Sequence, residues 1–247
     1  MNKLFYQLSI NFKRVILRNP AFFLFDVAMP IAFYLLFTKA MPASNTTAWK
    51  LDYLVSMVIY GILMGSIMTV SHVLSSDVNN HFTLFVKLSP FSQIAYYAEM
   101  IVIFEFLNIL CTLGIGISGY AINSLDISAR IWFSLLIVMP ILSLPLILLG
   151  IAISLLKDSD TINAVTNLII FPMAIASGLW WPISLLPHWL QQIGKLMPTY
   201  FISNIATDLI KHKSFSTNSI LALLIWTIVI ALIIEFTIKL SQNRDFR

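Results

Sequence analysis

The sequence predicts an all-α, polytopic membrane protein, and three observations carry that prediction. Of its 247 residues, 59% are hydrophobic and 11% are charged, against about 25% charged in a soluble domain. Mean hydropathy is +0.88. The apolar residues gather into runs long enough to cross a bilayer, which takes roughly 20 residues of helix each. Six spans are expected, near 22–40, 53–74, 94–121, 131–156, 162–180 and 219–240. They make one transmembrane domain over 1–247. An interfacial helix over 1–20 precedes them, a loop over 75–93 follows the second, and a broken re-entrant segment over 181–218 precedes the last.

The N-terminal segment sets Leu4, Leu8, Phe12, Val15 and Ile16 near one face at helical spacing, with Lys3, Lys13, Arg14 and Arg18 largely elsewhere. That is the pattern of an amphipathic helix lying in the membrane interface. It serves either as an anchor or as an elbow that also touches a partner. Lys13, Arg14 and Arg18 interrupt any apolar core, so no cleavable signal peptide is expected. Nine of the fifteen Lys and Arg fall on the side of the two termini, and both chain ends are basic. Both termini are therefore expected in the cytoplasm, with the loop 75–93 beside them and 181–218 outside. The net charge of +4 suits anionic lipid. No basic cluster stands on a soluble domain, so nucleic acid is not an expected partner.

Within the spans, ionisable groups are costly and by default face a cavity or a partner. Asp26 lies near the entry of the first span, ahead of Pro30. Glu99 and Glu105 lie in the third. Asn108 follows Glu105 at helical spacing, so these two share a face. Asp26, Glu105 and Asn108 are the candidate translocation path, with structural pairing as the competing role. Gly61 and Gly65 form a GxxxG in the second span, and Gly114, Gly116 and Gly119 cluster in the third. Small residues permit close helix approach, within the subunit or across a dimer seam. Cys111 is the lone cysteine and reads as a small buried hydrophobe. Pro140 and Pro145 suggest a kink in the fourth span. Glu235 and Lys239 read as an i,i+4 pair at a helix edge.

The fifth run ends in SGLWWPISLLPHWLQQIGKLMPTYF, from Ser177 to Phe201. Indoles settle at the headgroup level, and each proline lacks an N–H and disfavours helix in the residue before it. Irregular backbone at that depth is tolerated only against protein or a water-filled cavity. Gly178, Trp180, Trp181, Pro182, Pro187 and Trp189 are therefore the candidate extracellular gate, with simple interface anchoring as the alternative for each tryptophan.

Taken together, the chain resembles an ABC-2-type transporter permease, the membrane half of an ATP-driven exporter. The resemblance covers nearly the whole chain. Its most specific part is Gly178-Leu-Trp-Trp-Pro182, then Leu186-Pro187-His-Trp-Leu190, then Pro198-Thr-Tyr200. A second part is the run from Ser75 to Leu84 followed by Leu88-Ser-Pro90-Phe-Ser92. There many members carry an acidic-Arg-Glu-x-Gly run, and this chain departs from it at Val78, Asn79 and His81. The resemblance implies that Asp77, Phe82, Phe85, Leu88 and Pro90 couple to an ATPase. Phe82, Phe85 and Leu88 would offer an apolar face to a groove, and Asp77 would cap or abut the helix start.

No GxxxxGK[ST] is present, so the chain is not expected to hold ATP in a P-loop. The resemblance places ATP and Mg on a separate ABC ATPase in two copies, with no cofactor bound by this chain. A second permease, identical or related, and membrane lipid complete the expected partners. No HExxH and no nucleophile–base pair stands out, so an intramembrane enzyme is not expected. The expected function is outward movement of a lipophilic or amphipathic substrate (drug, antibiotic, lipid or peptide) across the plasma membrane. The alternative is a non-transporting membrane sensor or assembly factor with a permease-like fold.

Overall fold

The computed structural model describes residues 3–17, 20–40, 46–82, 93–125, 127–156 and 158–245. Among the described residues every regular element is helical. Helix α1 (Lys3–Phe12) runs into a stretch of wide turns, Lys13–Leu17. Then follow α2 (Pro20–Ala40), α3 (Thr47–Leu63), α4 (Val70–Asn79), α5 (Gln93–Asn123), α6 (Ala129–Ser154) and α7 (Ser159–Ala176). Two short helices, α8 (His188–Gly194) and α9 (Pro198–Ile210), lead to α10 (Thr217–Asp245). Among the described residues five stretches are long and apolar enough to cross a membrane: Thr47–Asn79, Ala95–Asn123, Ala129–Ser154, Ser159–Ala176 and Thr217–Lys239. Helix α2, with 21 residues, occupies the position of the expected first span.

The second span differs most from expectation. Helices α3 and α4 are one 33-residue rod, joined through wide turns at Met64–Thr69. The Val70 N–H reaches back to the Gly65 carbonyl, an i→i−5 step of the kind that inserts a bulge into a helix. Polar Ser75, Ser76 and Asp77 thus lie inside α4 rather than opening a loop. Their polarity is tolerated because Ser75 and Asp77 are covered by neighbouring protein.

This rod is the centre of the molecule. Tyr53 to Leu63 are buried almost without interruption, except Ser56, and α2, α5, α6 and α9 pack around them. Glycines permit the approach. A Cβ on Gly61 would lie 2.5 Å from the Cys111 Sγ and 3.0 Å from the Asp26 carbonyl, and one on Gly150 would lie 2.2 Å from the Ser66 carbonyl. Gly114, Gly116 and Gly119 likewise face Val27, Trp132 and Leu54. Both glycine groups therefore serve packing within the subunit.

Polar contacts sort the helix ends into two sets. Arg14 meets Asp77 and Asn79 donates to Ser159 at 3.4 Å, which gathers the N-terminal segment, the end of α4 and the start of α7. At the opposite end Lys211 pairs with Asp52 at 2.9 Å, and Asn123 donates to Thr38 at 3.1 Å.

Candidate functional site

Three groups of candidate residues are brought into three places. The first is a polar knot inside the bundle, opposite the wide turns of the central rod. Thr69 donates to the Asp26 carboxylate at 2.6 Å. One turn away, Asn108 donates from its amide to Ser66 (3.2 Å), Ser143 (3.0 Å) and Glu105 (3.3 Å), and Ser143 donates to Glu105 at 2.9 Å. Gly65 bridges the two halves: a Cβ there would stand 3.4 Å from Asp26 Oδ2 and 3.8 Å from Asn108 Oδ1. Asp26 and Asn108 are buried, whereas Glu105 is half-buried. So all three candidate path residues gather at one level of the bundle. The wide turns give them their partners by turning Ser66 and Thr69 towards α2 and α5. Sequence reading missed Ser66, Thr69 and Ser143, which look ordinary in apolar runs. The cue was their shared depth with Asp26 and Asn108.

The second place is the end that carries α1. Arg14 grips Asp77 with both terminal nitrogens, Nη2 at 2.8 Å from Oδ2 and Nη1 on Oδ1. The Tyr96 hydroxyl donates to the same carboxylate. The Phe82 ring lies 4.2 Å from the Arg14 guanidinium carbon and 6.2 Å from the Tyr96 ring. Next to this, Asn11 donates to Glu99 at 2.9 Å. A forked, charge-assisted pair of this kind is strong and directional. Asp77 lies within α4, 5% exposed and engaged by Arg14; the helix start that it was expected to cap lies outside the described residues. The N-terminal segment turns Asn11, Arg14 and Val15 inward, where Glu99 and Asp77 give Asn11 and Arg14 their partners. Phe82 joins this cluster. Phe85, Leu88 and Pro90 lie outside the described residues.

The third place is the segment after α7. That helix ends at Ala176, with Ser177 as its cap, not at Trp180 as the apolar run suggested. Gly178 takes φ +83°, the Gly178 N–H reaches the Ile175 carbonyl, and the Leu179 N–H reaches the Ala174 carbonyl. This paired bond pattern after a left-handed glycine is a Schellman stop. Pro182 and Pro187 then launch short turns, their carbonyls accepting from Leu185 and from Leu190 and Gln191. Helix α8 doubles back on α7 so closely that a Cβ on Gly194 would lie 1.8 Å from the Ala176 carbonyl. The broken, reversing segment is thus present.

Its tryptophans divide. Trp180 turns inward, with its ring 5.6–5.9 Å from Tyr60, Phe33 and Phe171, and so ties α2, α3 and α7 together. Trp181 lies 6.0 Å from Trp180 and is exposed, as are Trp189, Pro182 and Pro187. Trp180 is thus packed among rings of three helices, and Trp181 beside it is exposed.

Among the described residues, several helices long and apolar enough to cross a membrane, bundled around a buried polar knot, define the class: a multi-pass membrane protein. The chain belongs to the ABC-2 type transporter family, whose model matches residues 4–210. It is 28% identical over 238 residues to a Bacillus subtilis (strain 168) protein named "Putative transport permease YvfS", covering 96% of this chain and 97% of that one. A permease of this family works with an ABC ATPase.

Proposed function

We propose that this chain is the membrane-spanning permease subunit of an ABC exporter of the plasma membrane, with six spans and both termini cytoplasmic. It moves a lipophilic or amphipathic substrate outward, driven by ATP hydrolysed with Mg on a separate ATPase in two copies. The observation that carries this reading is the family match over 4–210. The polar knot, the division of polar contacts between two ends and the reversing aromatic segment fit it. In this account α2 is the first span. Asp26, Glu105 and Asn108 line the path, because an intramembrane carboxyl is retained where it meets water or cargo. Gly178, Trp180, Trp181, Pro182, Pro187 and Trp189 form the outer gate. The loop containing Phe85, Leu88 and Pro90 docks the ATPase.

Helix α7 supports a paired permease. It has the lowest hydropathy of the five apolar helices, yet Asp160, Thr161 and Asn163 are exposed and Asn167 is only half-buried. A polar face of this kind is suited to a water-filled path or a second permease rather than to lipid.

The test is a pull-down of the tagged chain from native membranes, with mass spectrometry and an ATP hydrolysis assay. An ATPase should co-purify with the parent chain and be lost when Phe85 and Leu88 are both replaced by Asp. A preparation that carries no ATPase would end the exporter reading.

A further inference from the structure

The Arg14 cluster has a position that the path and the gate do not use. Asp77 lies in the last turn of α4 (Val70–Asn79), Phe82 just beyond its end, and Tyr96 in the first turn of α5 (Gln93–Asn123). Arg14, from a third element 63 residues away from Asp77, closes on the first two, while Tyr96 closes on Asp77 from the other side. The end of α4 and the start of α5 are therefore held together, with the N-terminal segment locked across them.

We propose that Arg14 is a positioning residue for energy coupling: it makes the N-terminal segment, the end of α4 and the start of α5 move as one body. A push delivered between α4 and α5 then reaches the central rod, since α4 continues into α3, and through Asp26 and Thr69 it reaches α2. Without the clamp the same push would be spent on swinging α1 and parting α4 from α5. Three features favour a clamp over a surface ion pair. Asp77 is buried, with its side chain 6% exposed, so the pair is little screened by solvent. The fork fixes direction as well as distance. The Phe82 ring beneath the guanidinium adds a cation–π contact that ties in the residues just past the end of α4. The adjoining Asn11–Glu99 bond extends the same seam by one turn. A lysine at position 14 would keep the charge but lose the fork, so charge and geometry can be separated.

This proposal rests on the reading that an ATPase docks between α4 and α5. The experiment uses the chain purified with its ATPase from native membranes, in nanodiscs of phosphatidylethanolamine and phosphatidylglycerol. Spin labels are placed at Lys13→Cys and Asn80→Cys, both exposed, with Cys111→Ser removing the native thiol. The parent should give a narrow distance distribution, and Arg14→Gln should widen it about twofold or more. With the amount of bound ATPase held within about twofold, ATP turnover should fall at least about fivefold in both Arg14→Gln and Arg14→Lys. If Arg14→Gln is poorly folded, Arg14→Lys carries both readouts. An unchanged distance distribution overturns the clamp, and a widened one with unchanged turnover overturns its role in coupling. Failure of the parent to retain any ATPase condemns the exporter reading instead, while the distance measurement still judges the clamp.

Discussion

Helices α7 and α10 both stand at the edge of the bundle, and they differ in what they show. Within their membrane-length windows, 11% of α10 is buried against 33% of α7. The exposed residues of α10 are apolar along its central length: Ile220, Leu224, Ile225, Ile228, Leu232 and Ile233. Those of α7 change in kind along its length, with polar Asp160, Thr161 and Asn163 in its first turns and apolar Leu168 and Phe171 beyond them. Its polar side also meets α4, where His72 bonds to Asn163. Exposure alone therefore does not identify a lipid-facing surface in a membrane protein. Chemistry does: lipid offers no hydrogen bonds, so a face left to lipid sheds polar groups, and a face left for water or protein keeps them.

The largest effect should come from placing the same charge on both helices. Ile228→Lys on α10 puts an ammonium at the centre of an apolar face, at a cost of about 3 kcal/mol for insertion. The membrane-integrated, folded yield should collapse. Asn167→Lys on α7 should leave the yield near the parent level, because the position is already polar and stands one turn after exposed Asn163. Detergent-solubilised, monodisperse protein measured by size-exclusion chromatography reads both. Equal losses from the two variants would break the distinction and make α7 a lipid-facing helix as well.

How far the sequence reached can be judged from particular elements. The long apolar helices were legible because burial in lipid demands long apolar runs, a local signal. The gathering of Asp26, Glu105 and Asn108 was half legible: the two on one helix follow from spacing, but the meeting with Asp26 depends on packing between helices. The end of α7 was misplaced by four residues because apolar Leu179 and Trp180 continue the run, although Gly178 marks the stop. Asp77 was assigned to a loop because Ser-Ser-Asp-Val-Asn-Asn looks solvent-facing, and its partner lies 63 residues away. One cue was present: Gln7, Asn11 and Arg14 recur at helical spacing on the N-terminal segment, a polar stripe with no local partner.

A smaller effect tests how the reversing segment is held to α7. Gly194→Val would drive a side chain into the Ala176 carbonyl, since even a Cβ would stand 1.8 Å away. Overpacking of this kind costs about 1–3 kcal/mol. The expected result is a lower thermal midpoint, with faster maleimide labelling of Trp181→Cys in the Cys111→Ser background. An unchanged midpoint would show that α8 is not seated on α7.

The smallest effect tests the corresponding anchor of α10. Its Trp226 indole donates to the Leu196 carbonyl at 3.0 Å, joining the last span to the turn between α8 and α9. Trp226→Phe keeps a ring and removes the donor, leaving one carbonyl to find another partner, at about 1 kcal/mol. That is enough to lower the midpoint by a few degrees at most and should leave insertion intact, because the face stays apolar. The two anchors differ in kind, backbone apposition for α7 and a single indole bond for α10. A helix that only has to meet lipid can be held loosely, whereas one that presents polar groups at a defined surface has to be held in register. If Trp226→Phe proved as damaging as Gly194→Val, α10 would need the same precision as α7, and its role as a lipid-facing strut would have to be abandoned.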